Sequence, residues 1–360
     1  MEHLPVFHGL KVVEFASVLA GPAVGMFFAE LGAEVVKIEN KTTRGDVTRG
    51  WKLPSEPETS PVSAYWSSVN WGKKHLFLDL NDPADRAEAQ RIALAADVVI
   101  SNFKPLSAQR LGFDPETLRA RNPRLIYAQL DAFPDPDDDS PAFDAVLQAE
   151  AGFMFMTGEP GRPPVKMPVA LIDLLAAHQM KEAVLIALLQ RERSGEGSLV
   201  RCSLLESAIA SLANQASNYL MAGHVPQRMG TQHPNIAPYG DTFACSDGKT
   251  VLLAAGTERQ FAQLCAALSL EWLLEDPDFN TNAARVRHRE RLNQILSKKL
   301  AEHSLAENLA TLRAFNVPVA QIRDMASVFE MPEARDMVLE ETATDGTLTK
   351  RVRTIAFKMS

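Results

Sequence analysis

Two rhythms of apolar positions alternate along this chain: short runs with little polar interruption, and longer stretches that repeat every three or four residues. Leu10 to Phe15 and Ala33 to Ile38 belong to the first kind, and Ala23 to Leu31 between them belongs to the second. Short runs that are largely apolar on both faces are the mark of strands covered by helices, so the opening is predicted to be a βαβ unit with parallel strands. The run ending at Leu80 (HLFLDL) and the runs Ala96 to Ile100 and Leu125 to Leu130 repeat the strand pattern. A helix begun at Asn81 to Pro83 and reaching about Ala95 repeats the other. No linker interrupts the alternation before residue 130. The polar stretch 40–54 reads as loop, in which Arg44, Asp46 and Arg49 form either an anion site or a mutually paired surface cluster.

The strongest helical pattern comes later. After the apolar approach Val169 to Ile172, read as a strand end or extended segment, Leu174, Leu175, Ala177, Met180, Val184, Ala187 and Leu188 recur at helical spacing to about Arg191. Asp173 then stands at or beside the predicted N-cap, where free N–H groups and the helix dipole favour an ionised, directed and partly desolvated carboxylate. It is either an ordinary cap or an anionic nucleophile, and the pattern alone does not separate the two. Further on lie a helix over Leu204 to Met221 and a stretch rich in Gly, Pro and His over 222–239. A hairpin within Asp241 to Ala255 turns at Asp247 and Gly248, helices extend to about Phe315, and a strand covers Val317 to Ile322. The expected fold class is α/β: a Rossmann-like parallel-sheet large domain over 1–221, a linker over 222–239 and a smaller α+β domain over 240–325. A C-terminal segment over 326–360 returns to the large domain.

With 360 residues, 46% of them hydrophobic, the chain can bury one large core and one smaller one. A net charge of -8 without any dense Lys/Arg block argues against a nucleic-acid partner. Cys202, Cys245 and Cys265 are too few and too scattered for a disulfide framework or a zinc site, and read as free thiols. His224 and His233 have no accompanying carboxylate or cysteine cluster, so they read as linker or interface residues and no metal is expected. No basic-then-apolar leader opens the chain and no run of about eighteen apolar residues occurs, so a cytoplasmic protein without a membrane partner is expected. The loop Ala16 to Pro22 leaves the first strand at its carboxyl end, where open α/β sheets take ligands. It is neither a GxGxxG fingerprint nor a P-loop, which disfavours the usual dinucleotide and nucleoside-triphosphate enzymes.

The segments GPAVGMFFAELGAEVVKIE, NWGKKHLFLDLNDP, ADVVISNFKP, AQRLGFDPETLRARNPRLIYAQL, ALLQRERSGEGSLVRCSLLESA and HPNIAPYGDTFACSDGKTVLLAAG resemble, in order and spacing, the successive signatures of the family III CoA-transferases. In that family the nucleophile is an aspartate opening the helix before an R-x-x-x-G-x-G segment. Here that segment is Arg191 to Gly197 and the aspartate is Asp173. The resemblance implies transfer of CoA from an acyl-CoA donor to a small carboxylic acid through a covalent intermediate on Asp173. Asp144, beside Phe143, either approaches Asp173 and steers or protonates it, or is a surface or capping acid. Acyl-CoA is then substrate, and no tightly bound cofactor is needed. The carboxyl-end loops become the CoA cradle: Val18, Leu19, Ala20, Leu78, Asn81, Asn102, Phe103 and Arg110, with Lys73, Lys74 and Lys104 as further cations. The resemblance also implies an interlocked homodimer and, in many members, a helical tail beyond the position of Ser360.

Departures from the family pattern limit these implications. Asn40, Asn81 and Asp131 occupy positions where some members carry a basic residue, and DAFPDPDDD replaces a small glycine-rich turn. That acidic loop either alters acceptor choice or is a solvated insert. A racemase of the same superfamily is the nearest alternative, but it uses a histidine where this chain has Phe143, and two-base proton exchange would then lack a partner. A non-catalytic CoA-binding protein is the other alternative, opposed by the retention of Asp173. For the acceptor the expectation is a small di- or hydroxycarboxylic acid, its second charge met by Arg44, Arg49 or Arg228.

Overall fold

The computed structural model describes residues 5–135, 138, 140–342 and 346–358. The chain divides into two compact units, one of residues 1–152, 167–214 and 332–360, the other of residues 153–166 and 215–331. The second unit therefore takes residues 153–166 and begins again at Gln215, ahead of the expected linker.

In the first unit the elements are β1 (Lys11–Glu14), α1 (Ala20–Glu30), β2 (Glu34–Asn40), α2 (Ala64–Ser67), β3 (Lys74–Leu78), α3 (Pro83–Leu94), β4 (Val98–Ser101), α4 (Pro105–Leu111), α5 (Pro115–Arg121), β5 (Ile126–Asp131) and α6 (Asp144–Glu150). After α7 (Phe153–Met156), in the second unit, follow α8 (Leu171–Ser194), β6 (Leu199–Ser203) and α9 (Leu204–Ala210). The strands form one six-stranded parallel sheet in the order β3-β2-β1-β4-β5-β6. The order reverses between β1 and β4, which opens a crevice at their carboxyl ends. Alternate residues feed opposite faces. Val12, Val98, Ile100, Ile126 and Ala128 pack with α1 and α8, while Val13, Val99 and Tyr127 pack with Ala89 and Ala93 of α3, Leu111 of α4 and Leu118 of α5. Both faces are covered, which explains why these strands are apolar on both sides.

Several local expectations are corrected. The helix α1 begins at Ala20, not Ala23, because Pro22 falls in its first turn, where a missing N–H removes no helical hydrogen bond. The approach to Asp173 is not a strand: α8 starts at Leu171 and continues to Ser194. Strand β6 went unseen, since its LVRCS pattern mixes polar and apolar positions. The expected helix Leu204 to Met221 is broken into α9 and α10 (Ala213–Ala222), with Ala213 in the left-handed region at φ 47°. The stretch 40–54 holds two single turns of 3-10 helix, Lys41–Thr43 and Val47–Gly50, started by the side chains of Asn40 and Asp46. Pro136, Asp137 and Asp139 of the acidic loop lie outside the described residues.

The second unit packs α11 (Glu258–Ala267), α12 (Arg289–Leu300) and α13 (Leu305–Ala314) against an antiparallel sheet β7-β8-β9 (Tyr239–Ala244, Thr250–Ala254, Val319–Gln321) around Phe261, Leu264, Leu292 and Leu296. The turn between β7 and β8 holds Gly248 at φ 74°. His233 receives a backbone N–H bond from Asn235 on Nδ1 and stacks edge-on against Tyr239, a structural use of the ring. Among the described residues no helix is long and apolar enough to cross a membrane.

Beneath α1 the first unit carries a buried ion cluster. Glu14, the last residue of β1, is fully buried and pairs with Lys37 of β2 and with Lys73, each at 2.8 Å. Burial alone would raise the Glu14 pKa, but the two ammonium groups outweigh it and hold it below the ordinary value. This carboxylate needs room. A Cβ on Gly25 of α1 would sit 2.0 Å from its Oε2. Gly25→Ala is therefore expected to destabilise the protein by about 1–3 kcal/mol, since the anchored carboxylate cannot give way. A denaturant midpoint unchanged from wild type would show that the cluster yields.

Candidate active site

Asp173 is not the N-cap of α8. It is the third helical residue, the N-cap is Ala170, and Ala170 has no side chain with which to cap. The capping oxygen comes from a distant residue: Asp144 at the start of α6 accepts the Ile172 N–H on Oδ1 at 2.7 Å. Its Oδ2 accepts from Gln148 Nε2 at 2.7 Å, and Gln148 Oε1 accepts the Met167 N–H at 2.8 Å. Asp144 and Gln148 thus fix the chain as it enters α8.

With the cap supplied elsewhere, Asp173 is left over. It is 7% exposed, and among the described residues its carboxylate accepts no hydrogen bond. Burial, followed by the neighbouring charge of Asp144, pushes its pKa up to about 7. The expectation of a firmly ionised side chain is corrected: the group is poised between acid and carboxylate near neutral pH.

Asp173 lines a cavity of about 440 Å³ together with Val18, Leu19, Ala20, Asn102, Phe103 and Lys104. A second cavity of about 430 Å³, sharing Ser17, Val47 and Phe103 with the first, lies over the carboxyl ends of β1, β2 and β3 and is lined by Asn40, Leu78, Asn81 and Arg110. Every residue proposed for the CoA cradle from the resemblance borders one of these two spaces. Arg110 is oriented by Asn81, whose Oδ1 accepts from it at 3.2 Å.

The other candidate cations divide. Lys73 is buried in the Glu14 cluster, and Lys74 opens β3 at the end of the strand away from the cavities, so neither lines them. Lys104 does line the Asp173 cavity. Arg49 does not pair with Asp46 as one reading had it; its Nε and Nη2 donate to the two oxygens of Glu39 at 2.7 and 2.6 Å, and its guanidinium lies 4.0 Å over Trp66. Arg44 and Arg49 border an adjoining groove with Lys41 and Lys52. Arg228, in the second unit, donates to the Phe155 carbonyl and rests against that ring.

Sequence reasoning missed Tyr65 and Trp51. Their rings meet edge-on at 5.1 Å, and Phe143 adjoins Trp51 at 6.4 Å. Burial, then the charges of Asp173 and Asp144, push the Tyr65 phenol up to about 12, so it remains a donor at neutral pH. Both residues stand in a stretch without periodicity, and no local signal pointed to them.

A raised carboxyl pKa has a stability consequence with a definite sign. The unfolded aspartate ionises near 3.8 and the folded one near 7, so unfolding releases a proton between these values and stability falls as pH rises through that window. Asp173→Asn is expected to raise Tm relative to wild type at pH 8 and to lose that advantage toward pH 4. Equal Tm differences at both ends would show that the side chain is not strained by its desolvation.

The sequence pattern described as CoA-transferase family III matches residues 7–360. The succinate–glutarate CoA-transferase of Agrobacterium fabrum is 37% identical over 357 residues, spanning 97% of this chain and 88% of that protein. The acetyl-CoA:oxalate CoA-transferase of Acetobacter aceti is 34% identical over 93% of this chain and 85% of its own length. A crystal structure of a CAIB/BAIF family protein from Brucella suis superposes with a TM-score of 0.85 at 36% identity, covering 99% of this chain and 93% of that one. Similarity of this extent, in sequence and in fold, makes the chain a member of CoA-transferase family III.

Proposed function

We propose that this enzyme moves CoA from an acyl-CoA donor to a carboxylic acid through a covalent intermediate on Asp173. The observation that carries this reading is a buried carboxylate without a hydrogen-bond partner among the described residues, facing a cavity at the carboxyl ends of a parallel sheet. Desolvation removes the water that would stabilise the anion, which raises its basicity and its reactivity toward a carbonyl. One Asp173 oxygen attacks the thioester carbon; the C–S bond breaks, leaving a mixed anhydride and CoA thiolate. The thiolate attacks the aspartyl carbonyl and releases the donor acid as its carboxylate, forming an aspartyl-CoA thioester. The acceptor carboxylate then attacks this thioester, and the freed thiolate collects the acceptor's acyl group and regenerates Asp173.

Each attack passes through a tetrahedral oxyanion. Among the described residues the N–H groups of Leu19, Ala20 and Gly21, at the uncapped start of α1, find no acceptor, and these residues line the Asp173 cavity. They supply the donors that such an oxyanion needs. Asp144 serves as a positioning residue through its cap on α8, and its charge keeps Asp173 basic. Arg110 is the cation we assign to the phosphates of CoA in the adjoining cavity. Phe143 offers no imidazole for proton exchange, which favours the transferase over the racemase. We also propose a Rossmann-like CoA-binding unit, a cytoplasmic location and an interlocked homodimer; the association is supported by the exposed Leu185, Ile186 and Leu189 on α8 and by Leu220 and Met221, 79% and 89% exposed.

A first test is chemical. Incubation with a turned-over acyl-CoA followed by hydroxylamine should leave a hydroxamate on the peptide containing Asp173. The kcat/KM should rise with pH until about 7 and then level off, as the nucleophilic carboxylate forms. Asp173→Asn should keep CoA binding and lose turnover by on the order of a thousandfold or more. An adduct mapped to another residue sinks the assignment.

The acceptor is proposed to be a dicarboxylate, in keeping with the relatives that act on glutarate and oxalate. Lys104 is the cation that lines the Asp173 cavity among its described residues, and it replaces the three arginines suggested by sequence. A panel of acids assayed with succinyl-CoA and acetyl-CoA should favour dicarboxylates over monocarboxylates of equal length. Lys104→Ala should then raise KM for the dicarboxylate by about tenfold and leave the monocarboxylate unchanged. Equal effects on both acids would remove the clamp.

A further inference from the structure

Val18 has φ 73°, in the left-handed region that a β-branched side chain rarely enters. It stands immediately before the uncapped start of α1. Two clamps hold it there. The Val18 N–H donates to Asp46 Oδ2 at 3.1 Å, and the carbonyl of Ala16 accepts from Lys37 Nζ at 2.6 Å. The clamps are themselves joined, since Lys37 pairs with Asp46 at 3.2 Å and with Glu14 at 2.8 Å. Asp46 Oδ1 is fixed in turn by the hydroxyl and N–H of Thr48, at 2.8 and 3.1 Å. Glu14, Lys37 and Asp46 are all buried, so none of these groups can trade its partner for water.

We propose that Asp46, backed by Lys37 and Glu14, is a positioning residue for catalysis. It forces Val18 into its positive-φ conformation and so turns the free N–H groups of Leu19, Ala20 and Gly21 toward the cavity that holds Asp173. This rests on the transferase reading above. Two independent features meet at this point: a strained backbone that a buried carboxylate maintains, and an unpartnered carboxylate in the cavity that the strained loop borders. Gly21 completes the arrangement, since a Cβ there would lie 2.2 Å from that of Ala16 and push the helix start off the strand end.

Asp46→Asn keeps the size of the side chain, but its NH₂ must face either Lys37 and Val18, which opens the clamp on Val18, or Thr48, which removes the bonds that hold residue 46 against Val18. With Val18 released to negative φ, kcat is expected to fall about a hundredfold while KM for the donor changes little. Glycine takes positive φ without a clamp. The double variant Asp46→Asn/Val18→Gly should therefore recover at least about tenfold in kcat over Asp46→Asn alone, with no matching recovery in Tm. Val18→Pro, which fixes φ near -65° and removes the N–H, should reproduce the kcat loss without touching the buried ions. It serves as the decisive variant should Asp46→Asn not fold. Wild-type kcat in Asp46→Asn or Val18→Pro, or a double variant no faster than Asp46→Asn, overturns the proposal. Wild-type turnover and the Asp173 adduct are read in the same assays, so a failure of the transferase reading is seen separately.

Discussion

The Asp173 carboxylate is free of capping duty because another carboxylate does that structural work. Helix α8 needs an acceptor for the N–H groups of its first turn, and the side chain three residues before Asp173 would ordinarily provide it. Ala170 cannot, so Asp144 reaches across from α6 to the Ile172 N–H. Had Asp173 been the cap, its charge would have been shared with backbone donors and its pKa drawn down. Instead the anion at Asp173 meets burial and a second negative charge, and its pKa moves the opposite way. The distance between a capping position and a desolvated, unpartnered carboxylate is one turn of helix.

Strands β1 and β2 show the same division of labour. Each is apolar enough to be buried on both faces, yet each carries a charge, Glu14 and Lys37, in its interior. Burial opposes both charges, and their mutual pairing, with Lys73 and Asp46, outweighs it; Lys37 is held above its ordinary pKa by Glu14 and Asp46 together. Lys73, sharing the same carboxylate, is pushed down to about 8 by its burial. A hydrophobic replacement could fill this volume with as much stability. What an apolar core could not do is hold Ala16 and Val18 by their backbone polar groups.

Most of the sheet was legible because strand and helix periods differ and buried parallel strands leave short apolar runs. What escaped was set by non-local contacts. Nothing within the local sequence says that Asp144 caps a helix beginning 27 residues later, so Asp173 read as its own cap. The break at Ala213 escaped because an alanine in the left-handed region carries no composition signal, unlike glycine or asparagine. Strand β6 follows directly on the helix end at Gly195 and is half polar, since one edge of it is open. Glu14 and Lys37 did offer a signal: a charge inside a doubly covered strand must be paired, and opposite signs on adjacent predicted strands were there to be matched.

The three positions where basic residues of some family members are missing are not empty substitutions. Asn40 starts the 3-10 turn after β2 by accepting from the Thr42 N–H, Asn81 accepts from Arg110, and Asp131 pairs with Arg201 of the neighbouring strand β6 at 3.5 Å. Two of the three therefore orient a cation rather than supply one. A guanidinium held by a neighbour loses less freedom when a phosphate arrives than an unanchored lysine does, and its planar fork matches a phosphate edge with two parallel bonds. Fewer charges also mean a shallower dependence of anion binding on salt, since each exposed cation contributes a screened attraction. An anion site with few fixed cations, such as the cradle proposed above, thus gives up long-range attraction for geometry. In the mechanism proposed above, that exchange suits a thiolate that must leave its carbonyl, wait, and return to a second one without drifting away.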